Sequence, residues 1–242
     1  MSFVVSWFMP ISENIAEVRI KMADAARRTG RNADEVALMA VTKTHRPERI
    51  REAYAAGLRV FGENRVQEFA GKASAVSDLK DAGWHMIGHL QTNKAAKAAE
   101  LFRTVDSVDS LKLAERLDVA ARGSAKRLSI LIEVNVGGEA AKSGVAPDSR
   151  ELEELLLAAP RLGGLEFRGL MTVPPFTEDP EGARLYFRKL RDLRDAIAQR
   201  KMPAVSMDVL SMGMSHDFEV AIEEGSTCVR VGTAIFGERR KT

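Results

Sequence analysis

With Cys228 as its only cysteine, the chain cannot close an internal disulfide, which excludes the stapled scaffolds of small secreted proteins and suits a reducing compartment. Charge of one sign is scarce too. The 36 Lys and Arg set against 34 Asp and Glu leave +2, so no broad field exists to draw nucleic acid or an anionic membrane surface. No apolar run approaches the ~20 residues of a membrane span. The opening MSFVVSWFMP is apolar but lacks a basic flank and is broken by Pro10, so residues 1–10 read as an N-terminal extension rather than a signal peptide. Internal repeats, low-complexity segments and long linkers are absent. These absences predict a soluble, cytoplasmic protein.

What is present is alternation. Ile11, Ile15, Val18, Met22 and Ala25 recur at helical spacing and predict a first helix over 11–28, stopped by Gly30. Eight short apolar runs follow, at 36–41, 58–64, 84–90, 104–110, 128–136, 167–173, 207–213 and 228–237. Helical patterns follow most of them. Pro47 is placed to start one helix, Asp148 and Glu151 are spaced as a capping box for another, and Asp179 with Pro180 predicts an N-cap and first residue for a third. A short helix is expected near 216–224. Strands that alternate with helices imply an α/β fold with a parallel sheet. Eight units predict a single (β/α)8 TIM barrel over 11–242. The competing doubly wound sheet lacks its glycine-rich fingerprint after the first strand.

In such a barrel the chemistry sits at the C-terminal strand ends. Lys43 closes the first apolar run, in ALMAVTKTHRP. An amine in a poorly solvated setting loses its proton more easily and can attack an aldehyde to form a Schiff base. The alternative is a rim lysine whose ammonium reaches solvent. LSMGMS and RVGTAIFG, after the seventh and eighth runs, are small-residue turns where this fold often holds a phosphate. Gly213 and Gly232 allow close backbone approach there, and Ser211, Ser215 and Thr233 add hydroxyls. Together with Lys43 they point to an aldehyde that carries a phosphate. Arg230 lies two residues before Gly232, on one strand face with it, and either meets the same ligand or pairs with a carboxylate such as Glu63. His85 and His89 have no third partner that would make a zinc site, so no metal is expected. Cys228, Met207, Met212 and Met214 read as packing residues.

Seven blocks in order, AVTKT, FGENRVQE, WHMIGHLQTNK, AAKSG, GLMTV, LSMGMSHDFEVAI and VRVGTAIFG, resemble the YggS/PROSC family of pyridoxal phosphate-binding (PLP homeostasis) proteins, over about Ile11 to Gly237. The resemblance implies a barrel like the N-terminal domain of alanine racemase. It implies a Schiff base between Lys43 and pyridoxal 5′-phosphate, Arg230 at the pyridine nitrogen, and Ser211, Ser215, Gly232 and Thr233 near the phosphate. Asn64 would lie beside the cofactor. The chain departs from common family patterns at Arg65, where tyrosine is frequent, at Pro47, one residue later than usual, and at His216, where aspartate is frequent.

An arginine at the ring nitrogen keeps its own proton, leaving the ring a weak electron sink. Alanine racemase also uses an arginine there, but its second acid/base is a tyrosine from a further domain of the partner subunit. No such domain is expected here, and Tyr54 and Tyr186 both fall within helical patterns. The expectation is therefore a cofactor holder for PLP homeostasis, buffering PLP or delivering it to PLP-dependent apo-enzymes, as a monomer or weak dimer. The alternatives are a low-activity PLP-dependent amino-acid racemase and a class I aldolase. Lys142, in the glycine-containing loop GGEAAKSG, is either an exposed lysine or a secondary aldehyde acceptor.

Overall fold

In the computed structural model, which describes residues 10–139 and 141–238, eight parallel strands close into a barrel in sequential order β1 to β8. The strands are β1 Ala37–Val41, β2 Val60–Glu63, β3 Gly83–Met86, β4 Thr104–Val108, β5 Leu128–Glu133, β6 Leu165–Met171, β7 Val205–Met214 and β8 Cys228–Val231. The helices are α1 Ile11–Arg28, α2 Pro47–Ala55, α3 Val66–Lys72, α4 Ala95–Leu101, α5 Leu111–Gly123, α6 Arg150–Ala158, α7 Arg184–Gln199, α8 Phe218–Glu223 and α9 Thr233–Phe236. Residues 1–9 of the expected extension lie outside the described residues.

The two-residue period of a strand divides each β-segment between two environments. Outward residues such as Ala40, Phe61, Ile130, Ile132, Val229 and Val231 join the helices in one continuous apolar cluster. Met39, Leu131, Met171 and Cys228 are equally buried but stand apart from that cluster, on the inner face of the barrel. Helix α1 closes one end of this layer through Ile11, Ile15, Val18, Met22 and Ala25, the residues whose spacing predicts it. Arg184 bonds Glu181, Glu223 and Glu224, and Arg28 reaches Glu219 and Glu223, so α1, α7 and α8 are laced together at the surface.

Three expected boundaries move. The capping box at Asp148 is not used: α6 is capped by Ser149, whose hydroxyl accepts from the Leu152 amide, because the helix begins one residue later. Asp179 does cap, but a short 3-10 turn (Pro180–Ala183) that precedes α7. The last apolar run ends as a strand at Val231, and Thr233–Phe236 turn into α9 after Gly232. An apolar run alone does not separate a strand from a buried helical turn.

Gly213 sits at φ +94°, and a Cβ there would stand 2.5 Å from the Ala221 Cβ. Gly71, within α3, has no atom within 4 Å of such a Cβ. Gly213→Ala is expected to lose about 2 kcal/mol or more through left-handed strain and overlap. Gly71→Ala is expected to gain roughly 0.5–1 kcal/mol by removing a helix-interior glycine. Urea unfolding of both variants checks the contrast.

Candidate functional site

At the C-terminal end of the barrel the inner faces of β1 and β8 lie side by side. Met39 is in register with Arg230, and the next inward pair brings Val41 against Gly232, whose Cβ position is 3.5 Å from the Val41 Cβ. Lys43 lies two residues beyond Val41, in the turn that follows β1, and is half-buried. Thr42 faces the helices instead, where its hydroxyl donates to Glu63 Oε1 at 2.6 Å.

Arg230 is 3% exposed and is held by neutral oxygens. Its Nη1 donates to Ser211 Oγ at 2.7 Å and its Nη2 to the Thr172 carbonyl at 2.6 Å. Burial draws its proton affinity below that of an ordinary arginine, opposed by Cys228 and the carboxylates of Asp106, Asp217 and Glu133. Glu63, offered by the sequence as a possible partner for Arg230, is not one. It lies on the outer face and pairs with Lys72 at 2.9 Å, because a one-residue step along a strand reverses its face.

Ser215 bridges the two turns. Its hydroxyl oxygen accepts from the Gly232 amide at 3.1 Å and from the Ala234 amide at 3.3 Å, so the backbone donors at the start of α9 converge on one oxygen atom. Thr233 is exposed beside them. Asp217 Oδ1 accepts from the Met214 amide at 2.6 Å and shapes the turn that presents Ser215. Ser211, grouped by sequence with these hydroxyls, is instead fully buried within β7 on Arg230. Asn64 follows β2 and is half-buried; its carbonyl would be 2.5 Å from a Cβ on Gly88, which packs the β2 and β3 loops together at the mouth.

The remaining polar groups of the inner face are His85 and two carboxylates, Asp106 and Glu133. His85 Nδ1 and Asp106 Oδ1 are 2.9 Å apart, while Asp106 Oδ2 and Glu133 Oε2 are buried with no partner among the described residues. His89 lies outside on a loop with Asp109, at 3.2 Å, so the two histidines serve different places. Burial, reinforced by Asp109, raises the Glu133 carboxyl from 4.5 to about 7, against the pull of Arg230 and His89. Burial likewise pushes the Cys228 thiol up to about 12, which leaves it an inert packing group. Lys142 is half-buried in the loop after β5 and pairs with Glu139 at 2.5 Å. Glu133 went unread in the sequence, although a carboxylate ending an apolar run, in phase with the inward Leu131, was the available signal.

The family model described as alanine racemase, N-terminal domain, matches residues 18–240. The pyridoxal phosphate homeostasis protein of Aquifex aeolicus (strain VF5) is 48% identical over 233 residues, covering 96% of this chain and 100% of the relative. The chain belongs to the pyridoxal phosphate homeostasis protein family. Among solved structures, PipY of Synechococcus elongatus PCC7942 with PLP bound is 37% identical with a TM-score of 0.78, covering 94% of this chain and all of that one. Alanine racemase of Streptomyces coelicolor A3(2), at 21% identity and a TM-score of 0.69 over 93% of this chain and 59% of that one, shares the barrel with this homeostasis-family chain. Among the described residues no helix is long and apolar enough to cross a membrane.

Glu133 gives the site a pH signature. Its folded-state affinity for a proton exceeds the unfolded one, so between about 4.5 and 7 the folded chain holds the extra proton and stability falls as pH rises. Glu133→Gln removes this penalty. Relative to wild type, it is expected to gain on the order of 2 kcal/mol at pH 8 and little at pH 4.5, read by urea unfolding at both.

Proposed function

We propose that this chain holds pyridoxal 5′-phosphate at the C-terminal mouth of its barrel and acts in PLP homeostasis, buffering the cofactor or handing it to PLP-dependent apo-enzymes. The observation that carries this reading is the inner-face register of Met39 with Arg230 and the contact of Val41 with Gly232, which sets the Lys43 turn beside the Gly232 turn at one end of the barrel. When bound, the cofactor supplies an aldehyde that condenses with a primary amine and a ring that can draw electrons. Lys43 is the amine for that aldehyde. Arg230, donor-only and permanently charged, meets the ring nitrogen without yielding a proton to it. Ser211 and the Thr172 carbonyl fix the guanidinium plane. The amides of Gly232 and Ala234 meet on the Ser215 hydroxyl oxygen, which leaves the hydroxyl's own proton to donate to a phosphate oxygen beside the turn. Thr233 lies beside that turn as a further donor. Asn64 borders the opposite side of the mouth.

Holding, rather than turnover, is favoured by where the tyrosines lie. The Tyr54 hydroxyl donates to Asp81 on the outer surface, and Tyr186 packs in α7 against the outer cluster. Neither is placed to exchange a proton opposite Lys43. One observation favours the second reading, a low-activity amino-acid racemase: Glu133 titrates near 7 in the field of Arg230.

The test is spectroscopic. Purified protein with pyridoxal 5′-phosphate is expected to develop an imine absorbance that borohydride fixes, with the reduced adduct on Lys43 by peptide mass spectrometry. Lys43→Ala should lose the band. Ser215→Ala should weaken binding roughly tenfold, the worth of one or two hydrogen bonds to a charged group. An adduct found on another lysine refutes the site, and deuterium entering the α-carbon of alanine or serine at a robust rate refutes the holder.

A further inference from the structure

Lys72 is a lysine with 7% exposure on the last turn of α3, a costly place for an ammonium. Its Nζ donates to the Thr42 carbonyl at 3.0 Å and to the His45 carbonyl at 3.4 Å, and pairs with Glu63 Oε1 at 2.9 Å and Glu68 Oε1 at 3.0 Å. Glu68 Oε1 in turn accepts from the Thr44 amide at 2.5 Å. Glu63 Oε1 also accepts from the Thr42 hydroxyl at 2.6 Å. Through these contacts Lys72, Glu68 and Glu63 each bond Thr42, Thr44 or His45, the residues around Lys43. Thr44 itself has φ +66°, a left-handed conformation that a β-branched residue adopts only when its surroundings enforce it. Against its own burial, the Thr44 amide and the Lys72 ammonium hold the Glu68 carboxyl below the usual carboxylate range.

We propose that Lys72, acting with Glu68 and Glu63, is a positioning residue for Lys43: it grips the backbone on both sides of that lysine and keeps Thr44 left-handed, so that the Lys43 amine stays on the inner face of the barrel. The inference rests on Lys43 being the aldehyde acceptor. Lys72 works through the backbone from the helix side of β1, the side on which the Thr42 hydroxyl meets Glu63. A loop free to relax at Thr44 would let the amine wander from the aldehyde. Condensation joins the amine nitrogen to the aldehyde carbon and releases the carbonyl oxygen as water, so it depends on that aim. Retention of ring and phosphate does not.

Two ligands separate these demands. Pyridoxal 5′-phosphate needs the amine; pyridoxine 5′-phosphate, with an alcohol in place of the aldehyde, reports only the ring and phosphate contacts. Lys72→Met and Glu68→Ala are expected to lower the adduct formation constant about tenfold or more, as small misplacements of reacting groups do. Both should bind pyridoxine 5′-phosphate within about twofold of wild type. Glu68→Gln, which keeps an oxygen for the Thr44 amide, should recover most of the Glu68→Ala loss. It also provides the test should Lys72→Met fail to fold. Parallel loss of both ligands, or an unchanged adduct constant in Glu68→Ala, overturns the positioning role alone. Absence of any adduct on Lys43 in the unaltered protein overturns the cofactor reading and this inference with it.

Discussion

The inner face of this barrel is organised around one buried cation. A guanidinium taken out of water costs several kcal/mol unless its surroundings replace the lost hydration. Arg230 receives that replacement from neutral oxygens at short range, Ser211 and the Thr172 carbonyl, and from Asp106, Asp217 and Glu133 at longer range. A carboxylate in direct contact would satisfy the charge but also quench it. Neutral acceptors orient the fork without cancelling its charge. The orphaned oxygens on Asp106 and Glu133 belong to the same arrangement: the inner face carries more polar capacity than its own side chains consume.

The strand pleat lets structure and chemistry share a short stretch without mixing. At the end of β1, Thr42 is committed to an outer ion-pair network with Glu63 and Lys72, while Met39, three residues earlier, packs in the interior. The same division holds at β8, where Val229 and Val231 pack outward and Cys228 and Arg230 inward. Mutations on the outer face therefore act on the site through backbone position, whereas those on the inner face act through charge and contact.

Much of this was legible in the sequence because period and strand-end position are local properties. The α1 face, the eight strands and the ends that carry Lys43, Asn64, Ser215, Arg230 and Gly232 follow from apolar spacing and the barrel rule alone. Partner choice was not legible. Glu63 looks like a mate for Arg230 until its face is known, and a single residue of register decides that. Ser211 and Ser215 lie four apart and read alike as hydroxyl donors, yet one is sealed in β7 and the other caps a turn. His85 and His89 suggest a shared role by spacing, but the strand ends between them and sends them to different acids. Lys72 is invisible for a different reason: its pairing with Glu68 reads as an ordinary helix-surface ion pair, and its two backbone partners are carbonyls 27 and 30 residues away, which leave no mark on composition.

The electrostatics of the inner face bear on what a bound ring would meet there. Carbanion chemistry on a pyridine ring is strongest when the nitrogen is protonated, which calls for a carboxylate facing it. Here the carboxylates of Asp106, Asp217 and Glu133 act on the guanidinium at longer range, and its direct partners are neutral oxygens. In the proposed site the guanidinium and the Gly232 and Ala234 amides would therefore serve an anion's oxygen atoms, with no carboxylate in direct contact with Arg230 to hold a proton on the ring nitrogen.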